Sequence, residues 1–96
     1  MSEKDLYKQK LKAQLFERKT DLNTLRAKFA GASLIANPEL SQLIMALEAK
    51  INAAEEKLAE LEAVREDSWM SVKLEVDEIW ESISSSFTDI SVKFDH

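Results

Sequence analysis

The chain of 96 residues has no cysteine, one glycine, one proline and one histidine. Without cysteine there are no disulfides, no thiol catalysis and no thiolate metal sites. A single glycine leaves no glycine-rich loop to cradle a phosphate. The one histidine, His96, has no catalytic or metal-binding partner in the pattern. A Ser-His-Asp arrangement is therefore not expected, although Ser84, Ser85 and Ser86 stand in a row. No run of 18 apolar residues is present, the length at which a spanning helix becomes a candidate. The opening MSEKDLYKQK lacks the apolar core of a signal peptide, so a cytoplasmic protein is the expectation. An excess of basic residues is missing too. The net charge is -5, and nucleic acid is not an expected partner.

Hydrophobic residues make up 45% and charged residues 32% of the sequence, with few helix breakers among them. That is the composition of long helices. The fold class expected is all-α, with residues 1–96 as a single helical domain. The central pattern is a set of apolar layers whose residue numbers sum to 69. Phe29 pairs with Leu40, Leu25 with Ile44, Leu22 with Leu47, Arg18 with Ile51, Leu15 with Ala54 and Leu11 with Leu58. A constant sum describes two segments running antiparallel in fixed register. Their apolar positions follow the alternating 3-and-4 spacing of a heptad seam. The spacing predicts a helix over about 4–30, a turn over about 31–37 and a second helix over about 38–66. Gly31 suits a C-terminal cap. Asn37-Pro38-Glu39 reads as a helix start: a capping side chain, proline at the first position, and a carboxylate at the positive end of the dipole.

Charge supports the antiparallel sense. Residues 1–28 carry eight basic and four acidic side chains, whereas residues 38–96 carry five basic and fourteen acidic ones. The flanking positions Lys12, Lys19 and Arg26 face Glu48, Glu55 and Glu62, and the register predicts Lys19 with Glu48 and Lys12 with Glu55. Asp21 and Lys50 are expected to approach. Arg18 interrupts the seam, and its stem should cover neighbours while its head reaches water. The acidic stretch Glu55, Glu56, Glu60, Glu62, Glu66 and Asp67 reads as a solvated face pairing with Lys8 and Lys12, not as a cation site.

From Trp69 the period changes. Val72, Val76, Ile79, Ile83, Phe87, Ile90 and Phe94 form an eleven-residue repeat, as do Trp69 and Trp80. Eleven residues per three turns keeps this stripe almost straight along a helix, within an arc of about 100°. An exposed apolar stripe of this kind asks for a cover. Three covers are open: a second copy, another protein or lipid surface, or fold-back onto the hairpin. The reading adopted is an antiparallel helical hairpin with a long amphipathic C-terminal extension over about 68–95. A three-helix bundle is the alternative. No glycine or proline marks a turn in AVREDSW, and the hairpin offers only Tyr7, Phe16, Leu43, Met45 and Val64 as further apolar groups. Asp67 or Ser68 would cap a third helix.

The function expected is non-enzymatic. The chain reads as a structural or protein-interaction coiled-coil module that self-associates or binds a helical partner through its aromatic stripe. The residues assigned to that role are Trp69, Val72, Val76, Ile79, Trp80, Ile83, Phe87, Ile90 and Phe94. No catalytic residue, metal or cofactor is expected. The alternative is a peripheral lipid-surface or stress-protective helix. The acidic tail, with only Lys73 and Lys93 as cations, disfavours anionic membranes.

The segments MSEKDLYKQKLKAQLFERKTDLNTLRAK, LEAKINAAEEKLAELEAVREDSW and VDEIWESI together resemble small bacterial coiled-coil proteins of about this length, which have no established function. The chain departs from their continuous helix at Gly31 and at Asn37-Pro38. The eleven-residue repeat is similar, in period only, to those of apolipoproteins and plant-type desiccation proteins.

Overall fold

The computed structural model describes residues 2–30 and 36–94. Gly31 as a cap and His96 lie outside the described residues. Among the described residues, three long helices of equal length follow one another: α1 (Glu3–Lys28), α2 (Pro38–Ala63) and α3 (Trp69–Phe94). Each has 26 residues, or about 39 Å at 1.5 Å per residue. They lie side by side in a rod of 49 × 20 × 18 Å.

Local chemistry fixes where α1 and α2 begin. The Ser2 hydroxyl caps α1 by accepting from the Asp5 N–H at 3.2 Å. The Asp5 carboxyl reaches back to Ser2, and those hydrogen bonds hold its pKa below the ordinary aspartate value. This is a capping box, two orphan donors satisfied reciprocally. At α2 the Asn37 side chain accepts from the Leu40 N–H at 3.2 Å, and Pro38 takes the first turn. The helix start read from Asn37-Pro38-Glu39 is present as expected.

Antiparallel pairing of α1 and α2 is also present, with one difference in its ion pairs. Lys12 meets Glu62 at 3.2 Å, Lys19 meets Glu55 and Arg26 meets Glu48. These pairs again share one sum, 74, but Lys12 and Lys19 each reach one heptad further along α2 than the predicted partner, which leaves Glu48 to Arg26. Helical side chains lean toward their own N-terminus. In an antiparallel pair both tips lean the same way along the numbering, so long side chains meet at a higher sum than the layers beneath them.

The third helix is not a continuation of the second. It folds back, which is the three-helix alternative. Val64 ends α2 in extended backbone, φ −79° and ψ 156°, and the Ser68 N–H then closes a turn onto the Arg65 carbonyl at 3.0 Å. Asp and Ser suit such turns without glycine or proline. Lys4, the one buried charged residue among those described, donates its ammonium to the Val64 carbonyl. A cation there satisfies an orphan carbonyl and faces the negative end of the α2 dipole.

Fold-back completes a core that two helices cannot close. Leu47, Ala54 and Leu61 of α2 have no exposed surface, nor do Ile83 and Ile90 of α3. A two-helix seam leaves one side of each apolar residue open to water, and α3 fills that side. Leu11, Leu15, Leu22, Leu40, Ile44 and Ile51 belong to the same cluster. Lys57–Glu75, Lys50 donating to Ser86 Oγ at 2.6 Å, and Lys93–Glu39 at 3.1 Å run down the α2–α3 edge and set it antiparallel.

Candidate interaction surface

The nine stripe residues are placed at the inner face of α3. Trp69, Val72, Val76, Ile83 and Ile90 are buried within the chain. Ile79, Trp80, Phe87 and Phe94 are half-buried and packed against the same core. The expected apolar cover is supplied in part by Tyr7, Leu43 and Val64. Phe16 and Met45, grouped with them from sequence, instead point outward, 74% and 65% exposed. Heptad geometry explains the split. Both residues lie on the outer arcs of their helices, whereas Tyr7 and Leu43 flank the seam on the α3 side.

The α1–α3 edge is the more open side of the bundle. A groove of about 340 Å³ runs there, bounded by Tyr7, Leu11, Gln14, Val76, Asp77 and Trp80. Its end is latched by a small polar and aromatic cluster. The Tyr7 ring sits 5.7 Å from that of Trp69, tilted by 45°. Its hydroxyl donates to Asp77 Oδ1 at 3.1 Å. Lys73 pairs with Asp77 at 2.8 Å and lies 5.4 Å from the Tyr7 ring centroid. Burial, then the Asp77 carboxylate, push the Tyr7 phenol well above the usual tyrosine pKa, because both disfavour the phenolate. Sequence reasoning passed over this cluster. Tyr7 reads there only as a stray apolar residue, and its partners Trp69, Lys73 and Asp77 lie far along the chain in α3.

Arg18 behaves differently from the expectation. Its guanidinium lies 5.4 Å over the Phe87 ring and pairs with Asp21 at 3.2 Å. The fold-back brings an aromatic face to a cation that would otherwise reach water. Asp21 thus does not meet Lys50, which turns to Ser86 of α3. Lys8 likewise pairs within α1, with Asp5 at 3.8 Å, while Lys12 reaches Glu62 of the acidic stretch. Glu55 and Glu60 of that stretch are held by Lys19 and Lys57. Among the described residues no group of three carboxylates or imidazoles converges to hold a metal.

A second groove, about 390 Å³, lies on the α1–α2 face away from α3. Leu15, Leu58, Ala59 and the exposed Phe16 line it, between a basic rim of Lys12 and Lys19 and an acidic rim of Glu55 and Glu62. No helix among the described residues is long and apolar enough to cross a membrane. No family model matches the chain, and no curated protein or solved structure is significantly similar to it.

Proposed function

We propose that this protein is a non-enzymatic helical interaction module that receives an amphipathic helix of another protein along the α1–α3 edge. One observation carries the reading. Trp80 stays half-buried and lines an open groove, whereas Trp69, the other tryptophan of the stripe, is sealed in the core. Tryptophan, tyrosine and arginine dominate the energetics of protein interfaces. Trp80, Tyr7 and Arg18 lie along this one edge.

Since the centre of the stripe is spent on the chain's own core, the remaining edge suits a single added helix laid in a groove. Lys10, Lys73 and Asp77 border the groove, with Lys73 paired to Asp77, so the apolar and aromatic lining and not net charge is what a partner helix would meet. Tyr7, Lys73 and Asp77 on this edge are engaged with one another and join α1 to α3, which favours binding over catalysis.

The two tryptophan indole N–H groups give two separate nuclear magnetic resonance signals to test this. Titration with a synthetic Leu/Lys amphipathic helix should shift the Trp80 signal saturably and leave that of buried Trp69 nearly still. Trp80→Glu should abolish binding while keeping most helicity. Equal shifts of both signals, or binding that survives Trp80→Glu, would overturn the proposal.

A further inference from the structure

We infer that the α1–α2 face is a self-complementary surface that joins two copies of this chain about a two-fold axis parallel to the helices. This inference concerns a different face from the α1–α3 edge and does not rest on it.

The argument begins with charge. On this face α1 presents a basic row, Lys12, Lys19 and Arg26, and α2 beside it presents an acidic row, Glu62, Glu55 and Glu48. The rows are level with each other, since each basic group pairs with one acidic group. They are also partly open to water, with side chains 37–57% exposed. Two copies can meet face to face about two in-plane axes. An axis perpendicular to the helices lays α1 on α1 and sets basic row against basic row. An axis parallel to the helices lays the α1 of one copy on the α2 of the other and sets every basic group over an acidic group at its own level. Like charges placed directly opposite are costly, so charge selects the second arrangement. Because the contact is two-fold and uses the same patch on both copies, it closes at two chains.

Shape then agrees independently. Phe16 lies between Lys12 and Lys19 on α1, while Leu58 and Ala59 lie between Glu55 and Glu62 on α2. The parallel axis therefore carries Phe16 of each copy onto Ala59 of the other. Phe16 is the most exposed large apolar side chain described, at 74%. Alanine opposite it leaves room, and the groove floor of Leu15 and Leu58 is apolar. A projecting ring and a small-residue hollow at matching levels, each rimmed by the charge the other needs, identify a second copy as the occupant. A buried aromatic anchor ringed by polar groups is the usual anatomy of a binding hot spot.

Light scattering on the full chain across a concentration series should give twice the chain mass. Phe16→Glu, which places a charge in the hollow, and Ala59→Arg, which fills it, should each halve that mass with unchanged helical circular dichroism. Both positions are exposed, so neither change threatens the fold. The axis is tested by cysteine pairing in this cysteine-free chain. A Phe16→Cys chain mixed with an Ala59→Cys chain should form a mixed disulfide readily, and neither chain alone should cross-link. A single-chain mass at every concentration would overturn the inference. So would a dimer that survives both Phe16→Glu and Ala59→Arg, or Phe16→Cys cross-linking to itself. Trp80→Glu should leave the dimer intact, so failure of the helix-receiving edge and failure of this face are separately visible.

Discussion

Tyr7 concentrates in one side chain what joins the first helix to the third. It stacks near Trp69, accepts Lys73 over its face and donates to Asp77. Its pKa is raised in the folded chain, so the protonated phenol is the form the fold favours. The linkage has a definite sign. Stabilisation from this contact is complete below the ordinary tyrosine pKa of about 10 and declines as pH rises from there toward the folded-state value. As Tyr7 is the single tyrosine, tyrosinate absorbance reports on it alone. Its titration should lie at higher pH in the folded chain than in denaturant. Replacement by phenylalanine should remove that alkaline loss of stability and cost about 0.5–1.5 kcal/mol at neutral pH. Coincident titrations in folded and denatured chain would refute the account. The contact was not legible in the sequence, because its partners share no spacing with it. By contrast, the Ser2-x-x-Asp5 box carries a local signature that a capping search finds.

At the scale of the element, each helix is defined by its own residues. Asn37 illustrates this: its side chain answers the Leu40 N–H, and proline follows where a missing donor does no harm. Asn37→Ala should therefore lower stability by about 1 kcal/mol in a denaturant titration. Asn37→Ser should restore most of the loss, since serine also accepts. The flanking ion pairs are weaker determinants, at about 0.2–1 kcal/mol for each exposed pair. They specify direction instead. Lys19→Glu leaves Glu48, Glu55 and the new carboxylate on one edge, and its cost should shrink as salt is added. A cost independent of salt would mean that Lys19 acts through its packed stem. The antiparallel sense and the start of α2 were both readable in the sequence. The ion-pair partners were displaced by a heptad because residue numbers record where Cα atoms sit, not where long side chains end.

For the whole molecule, the decisive fact is that α2 lies between two neighbours and is buried on both flanks. Ile83 of α3 is as sealed as Leu47 of α2. Ile83→Ala should therefore cost about 2–5 kcal/mol, the range for a large-to-small change in a packed core. A chain ending at Asp67 should lose cooperative unfolding altogether, because two helices bury a stripe and not a core. A sharp melting transition in that truncated chain would restore the hairpin as the folding unit. The turn at Val64–Ser68 was the feature hardest to foresee. It needs no glycine, and one of its stabilisers, the Lys4 ammonium on the Val64 carbonyl, comes from the first turn of α1.

Sequence alone determined the helices, the antiparallel order of the first two and the existence of an apolar stripe on the third. Those features depend on periodicity and on contacts between near neighbours, which a one-dimensional pattern records. Only the tertiary structure decided what covers that stripe. The same Trp, Val, Ile and Phe spacing serves a dimer, a groove or a fold-back equally well, because burial rewards apolar area whatever its source. The choice fell to the α2–α3 turn and to the unfilled side of the α1–α2 seam. What the fold-back leaves uncovered, the Trp80 edge and the Phe16 face, becomes visible only once the stripe has been assigned to the core.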